Sequence, residues 1–202
     1  MFTQDRLVGT ARAPAAGRQV LWRRLLVLSV FWCAVLQAGT AGDLRVVKAH
    51  VWSSGDVRLL NAKFSIHLSS GAAEALDNGV PLTFELQVQL VKQHEWLWDT
   101  VESEHVQTRR LEFHALSRSY LVKDVDRGTQ GNYSRLEDAL AAVGTIDNML
   151  VSSMPLGSER NYYVRLRGSL DIEALPTPVR LLAYVSSGWD MDSEWYTWPI
   201  DR

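Results

Sequence analysis

The sequence predicts a mainly β protein: an antiparallel β-sandwich with two short helical inserts, an α+β arrangement being the alternative. Three observations carry this expectation. First, residues 80–92 read V-P-L-T-F-E-L-Q-V-Q-L-V-K, with Leu82, Phe84, Leu86, Val88 and Leu90 at every second position. Thr83, Glu85, Gln87 and Gln89 fall between them. Side chains alternate across a strand, so one face is set for a core and the other for water. Second, runs of this kind recur along the chain between clusters of Gly, Ser, Asn and Asp. Third, helical patterns are few and short, so they insert between strands rather than alternate with them.

Taken in order, residues 1–41 are expected to lie outside the fold. Arg6, Arg12, Arg18, Arg23 and Arg24 face only Asp5 as a counter-charge, and an uncharged run, L-L-V-L-S-V-F-W-C-A-V-L, follows at 25–36. Small residues at 37–42 complete the pattern of a signal peptide, with cleavage expected after Ala41. The competing reading is a retained membrane anchor, the chain's sole expected membrane contact. A spanning helix needs about 20 apolar residues, and Arg23 and Arg24 cut this run short. Cys33, the only cysteine, lies inside the leader. The mature chain then has no thiol for a disulfide, a Cys-type zinc site or a Cys nucleophile.

Residues 42–202 are expected to form one domain, long enough for its own core. They carry 16 basic and 22 acidic residues. Such a surface is a poor match for nucleic acid or an anionic membrane. Leu44–Trp52 and Val57–Leu68 read as a hairpin about Ser53-Ser-Gly-Asp56, with Leu60, Ala62, Phe64, Ile66 and Leu68 on one face. Ser70–Gly79 reads as a short helix capped by Ser70 and stopped by Asn78-Gly79, linking two strands of one sheet. The 80–92 strand follows. Periodicity then lapses over Gln93–Val101, the expected protruding loop.

Strands resume at Val106–Ala115 and Ser119–Val125, followed by a polar loop over Asp124–Asn132. Ser134-Arg-Leu-Glu137 reads as a capping box that opens a second helix, ended by Gly144. Thr145–Ser153 and Asn161–Leu170 read as strands on either side of a loop at Met154–Ser158. Pro176 and Pro178 bracket a break, and Val179–Val185 is a short apolar run. The tail, Trp189–Ile200, is expected to pair as a strand and plug the sandwich near Pro176–Pro178. Fraying would expose Trp195, Tyr196, Trp198 and Ile200.

No catalytic constellation emerges. His50, His67, His94, His105 and His114 lack the spacing that lets two imidazoles share a metal. Asp124, Asp126 and Gly128 have a partial likeness to a calcium loop, but Gly128 takes the third acidic position and Arg135 stands where the bidentate glutamate belongs. Asp190, Asp192 and Glu194 alternate as a solvated row would. There is no G-x-S-x-G elbow, Ser-x-x-Lys pair, phosphate loop or H-E-x-x-H. The chain is expected to be no enzyme and to need no cofactor.

Aromatic residues are the unusual feature. Eight tryptophans occur, six of them beyond the leader: Trp52, Trp96, Trp98, Trp189, Trp195 and Trp198. Trp96, Trp98, Trp189, Trp195 and Trp198 are the candidate binding residues. Two readings stand for them: a stacking surface for a glycan or a partner protein, or rings that complete a small core with their N–H groups bonded to backbone.

The stretches Leu170-Asp-Ile-Glu-Ala-Leu-Pro-Thr-Pro-Val-Arg180 and Trp189…Ser193-Glu-Trp-Tyr-Thr-Trp-Pro199 resemble a proteobacterial family of small exported proteins classed as a domain of unknown function. Leu111–Val122 and the Ser134–Glu137 helix are similar to it too. The resemblance implies a signal peptide, no assigned activity, and genes beside an rRNA methyltransferase and a nitrogen-regulation-type sensor kinase. An aromatic-rich, cysteine-free, acidic β-domain with no catalytic constellation is expected to be a non-catalytic periplasmic interaction module, and the implied neighbourhood points to an envelope protein, such as that kinase, as its partner. Binding of a glycan or cell-wall ligand through the tryptophans is the alternative.

Overall fold

The computed structural model describes residues 41–153 and 161–200; the leader and the Met154–Ser158 loop lie outside them. The described residues belong to one compact unit. The β strands come in two antiparallel sheets. β1 (Asp43–Ser54), β2 (Val57–His67) and β7 (Thr145–Ser152) make a three-stranded sheet in the order β1-β2-β7. The larger sheet runs β6-β5-β4-β3-β8-β9. Its strands are β3 (Leu82–Lys92), β4 (Thr100–His114), β5 (Ser119–Asp124), β6 (Thr129–Tyr133), β8 (Tyr162–Leu170) and β9 (Tyr196–Pro199). This is the expected mainly β, sandwich-like class.

β3 is central, bonded to β4 on one side and β8 on the other. Leu82, Phe84, Leu86, Val88 and Leu90 are buried against the small sheet, with Leu44, Leu60, Phe64 and Ile146 among their fellow core residues. Each such side chain removed from water is worth roughly 1.5–3 kcal/mol, so this one face anchors the domain. The opposite face is less wet than alternation alone suggests. Gln89 is buried, because Arg165 on β8 lies across it and donates from Nε to Gln89 Oε1 at 2.6 Å.

Several local expectations are corrected. The first helix, α1 (Ser70–Asp77), is capped by Ser69, whose Oγ accepts from the Ala72 amide at 3.2 Å. It carries the chain from one sheet to the other instead of linking strands of one sheet. β2 has β1 and β7 on its two edges, so β3 has no edge of β2 to join. The capping box at Ser134 does not form. Helix α2 (Leu136–Val143) starts one residue later, with Arg135 at the cap position and no side-chain cap. Glu137 stays in the first turn and Asp138 joins it there, where the helix dipole favours negative charge.

A third helix, α3 (Thr177–Val185), replaces the apolar run after the prolines. Pro178 sits in its first turn, where φ near −65° suits a helix and a missing N–H costs nothing. The polar loop after β5 folds back as β6, through a turn in which Gly128 takes φ +66. The tail pairs as a strand, but along the first half of β8 (Tyr163–Leu166), away from Pro176. No helix among the described residues is long and apolar enough to cross a membrane.

Candidate functional site

β4 begins six residues earlier than the periodicity suggests, which shortens the β3–β4 connection to Gln93–Asp99. Its base is held down. The Gln93 amide donates to the Asn161 carbonyl at 2.6 Å, Thr100 Oγ1 meets His94 Nε2 at 3.3 Å, and the Tyr163 hydroxyl donates to Asp99 Oδ2 at 2.8 Å. Burial, then the bond to Asp99 and that carboxylate's charge, push the Tyr163 pKa up, partly offset by Arg165. The phenol therefore stays a donor to Asp99 over the neutral range.

Beyond this pinned base the apex carries Trp96, Leu97 and Trp98 into solvent. Trp96 is 93% exposed and Trp98 92% exposed, with Leu97 close behind. A tryptophan buries 150–250 Å² when covered, so two bare indoles beside a leucine amount to an apolar patch of the size that marks contact sites.

The other candidate tryptophans are placed differently. Trp189, on a 3-10 turn at Ser187–Trp189, is 6% exposed and packs against Gly71, where a Cβ would come within 3.3 Å of the indole Nε1. Trp198 faces inward on β9, partly buried on the core, its ring near-parallel to that of Tyr196. Trp195 is half-buried beside the large sheet's outer face, with the Arg165 guanidinium 4.6 Å from its ring centroid. The structure thus brings Trp96 and Trp98 together at one tip and leaves Trp189 and Trp198 in the core.

The acidic groups weighed for calcium serve the fold. Asp124 is buried, pairs with Arg109 Nη2 at 3.3 Å, and accepts from Gln107 Nε2 at 3.0 Å and the Arg127 amide at 2.9 Å. Asp126 Oδ2 accepts from the Thr108 amide at 2.6 Å. Asp192 pairs with Arg167. Among the described residues no three His, Cys, Asp or Glu are placed to hold a metal ion.

Sequence reasoning missed the Arg109–Asp124 pair. The signal was there in parity: Arg109 and Gln107 continue the inward positions of Leu111, and Asp124 continues that of Val122. Beside the pair lies a cavity of about 480 Å³ between α2, β6 and the start of β7, with Lys63, Arg127 and Tyr133 in its walls. The Arg109 guanidinium is already engaged by Asp124 and by the carbonyls of Ala142 and Thr145, which makes it a strut between the two sheets.

A domain of unknown function (DUF4390) matches residues 41–199. The chain belongs to the DUF4390 family. The matched stretch takes in every strand and helix described above, so the Trp96–Trp98 tip is part of the DUF4390 domain itself. Comparisons with curated proteins and with solved structures return no match.

Proposed function

We propose that this DUF4390 chain is a non-catalytic interaction module, exported to the periplasm, that docks on an envelope protein through Trp96, Leu97 and Trp98. The observation that carries the reading is the near-complete exposure of both indoles on a loop whose base is pinned by three hydrogen bonds. Two large rings kept in water by an ordered loop are stabilising only once covered, at roughly 1.5–3 kcal/mol each. Aromatic anchors of this kind dominate binding energy at protein interfaces. The envelope setting rests on the leader pattern of residues 1–41, and a sensor kinase as partner rests on the gene neighbourhood implied by the family resemblance.

Binding of the purified extracellular part of that kinase tests the reading. The wild type is expected to bind and the Trp96→Ser/Trp98→Ser double variant to lose at least tenfold in affinity while its melting temperature stays put. Equal binding by both proteins would overturn it. The same open ring faces suit sugar stacking. Titration of the intrinsic fluorescence with muropeptide fragments separates the two: a saturable blue shift supports the glycan reading, and an unchanged spectrum removes it.

A further inference from the structure

We infer that the half of β4 next to the tip accepts an extended, basic segment of a partner polypeptide as an added strand. This rests on the docking role proposed for the tip and names the kind of partner that fits it. β4 runs Thr100–His114, yet β5 pairs only with Arg109–His114. Over Thr100–Thr108, β4 therefore has no strand beside it on that side among the described residues.

The free edge presents usable bonding groups. The Val125 amide donates to the Thr108 carbonyl at 3.0 Å and the Thr108 amide donates to Asp126, so the backbone of Thr108 is turned toward the β5 side. Backbone groups along an antiparallel strand turn to alternate sides, so Val106 and Glu104 turn their N–H and C=O the same way as Thr108. Their side chains stand on the outer face, opposite Gln87 and Gln89 of β3, and Val106 is 44% exposed. The register shifts between the Leu90–Ser103 and Val91–Val101 pairs, after which Val101, also exposed, leads into the tip.

Charge selects the occupant. Glu95, Asp99, Glu102, Glu104 and Asp126 are exposed around this edge, and none makes an ion pair among the described residues. The partners they do have are neutral: the Gln87 amide for Glu104, the Tyr163 hydroxyl for Asp99 and the Thr108 amide for Asp126. Lys92, the cation at this end of β3, lies over the Tyr162 ring. A free ladder set among uncompensated carboxylates and interleaved with Val101, Val106 and the two indoles matches a segment that alternates apolar with Lys or Arg residues. Main-chain bonds would give it affinity and the alternating side chains its specificity. Unused edges are normally blunted by charged side chains (lysine above all), by proline or by a bulge. This one has neither lysine nor proline between Val101 and Thr108; its charges are carboxylates, which repel an acidic strand and attract a basic one, and its register shift lies between Ser103 and Val101, short of Glu104 and Val106.

A fluorescein-labelled decapeptide of alternating lysine and valine, at near-physiological salt, is the probe. The full chain should bind it at least tenfold more tightly than its fully N-methylated counterpart, which keeps side chains and charge but has no N–H to donate. An alternating glutamate–valine peptide should bind as poorly as the methylated one. Val106→Pro should lose at least tenfold with an unchanged melting temperature, because the N–H it removes points away from β3. Independently of any substitution, peptide addition should slow amide exchange at Val106 and Glu104. Equal binding of the methylated peptide, wild-type binding by Val106→Pro, unchanged exchange at both amides, or no binding of the lysine–valine peptide would each overturn strand addition. If Val106→Pro leaves kinase binding intact while Trp96→Ser/Trp98→Ser abolishes it, the tip stands and the strand proposal alone falls.

Discussion

Trp189 and Trp98 carry the same side chain in opposite surroundings, and stability should register the difference. Truncating buried Trp189 to alanine opens a cavity and is expected to cost about 3–5 kcal/mol in urea unfolding. Trp96→Ser and Trp98→Ser should stay within about 0.5 kcal/mol of the wild type, as for other exposed positions. Glu85 gives a pH test. Burial, and next the charge of Asp171, raise its pKa above 4.5. With the folded value above the unfolded one, the contribution of Glu85 to stability is full in acid and lost as pH rises through the folded pKa. Glu85→Gln should therefore melt higher than the wild type at neutral pH, and the gap should close below about pH 4. A gap that widens toward acid would contradict the assignment. What was legible at this scale was residue type and parity. That Trp96–Trp98 is bare while Trp189 is covered depends on Gly71 and on the pinning of Asp99 by Tyr163, contacts between segments far apart in the chain.

Among the elements, β3 was legible because its alternation runs from Leu82 to Leu90 and breaks only at buried Val91, beside the register shift. Phe84→Ala and Leu86→Ala should each cost about 2–5 kcal/mol by cavity formation. On the other face, Gln87→Ala should be nearly silent. Gln89→Ala should cost about 1 kcal/mol or more, because it strips a buried partner from Arg165. Chemical denaturation of the four variants checks the ranking; equal losses at Phe84 and Gln87 would mean that both faces are core. Elements set by a single turn residue or by pairing were harder to read. β6 has almost no apolar alternation and exists because β5 offers it an edge. α3 was disguised by β-branched valines at its ends, although Pro178 in its first turn was the helix-start signal available. The register of α2 turned on one residue, which was enough to undo the capping box.

For the molecule as a whole, the sandwich class followed from strand count and segregated helices, but which strands share a sheet did not. Neighbours such as β3 and β8 are separated in the chain by β4, β5, β6 and β7, and nothing local to either encodes that pairing. The tail shows what the larger sheet depends on. β9 closes one edge of β8 and turns Tyr196 and Trp198 inward. Deleting residues 194–202 should yield an insoluble or protease-sensitive product; a soluble truncation with an unchanged melting temperature would mean that β9 contributes nothing to the core. The tip proposed for docking is the opposite kind of surface, apolar rings left in water on a hairpin whose base is pinned. A photo-reactive phenylalanine analogue placed at Leu97 in the full chain, and separately at Leu116, the fully exposed leucine at the far end of β4, probes that surface directly. Irradiation in the native envelope should give one discrete adduct from position 97 and none from position 116. Adducts of equal yield from both positions, or none from position 97, would contradict the assignment of the tip as the docking surface.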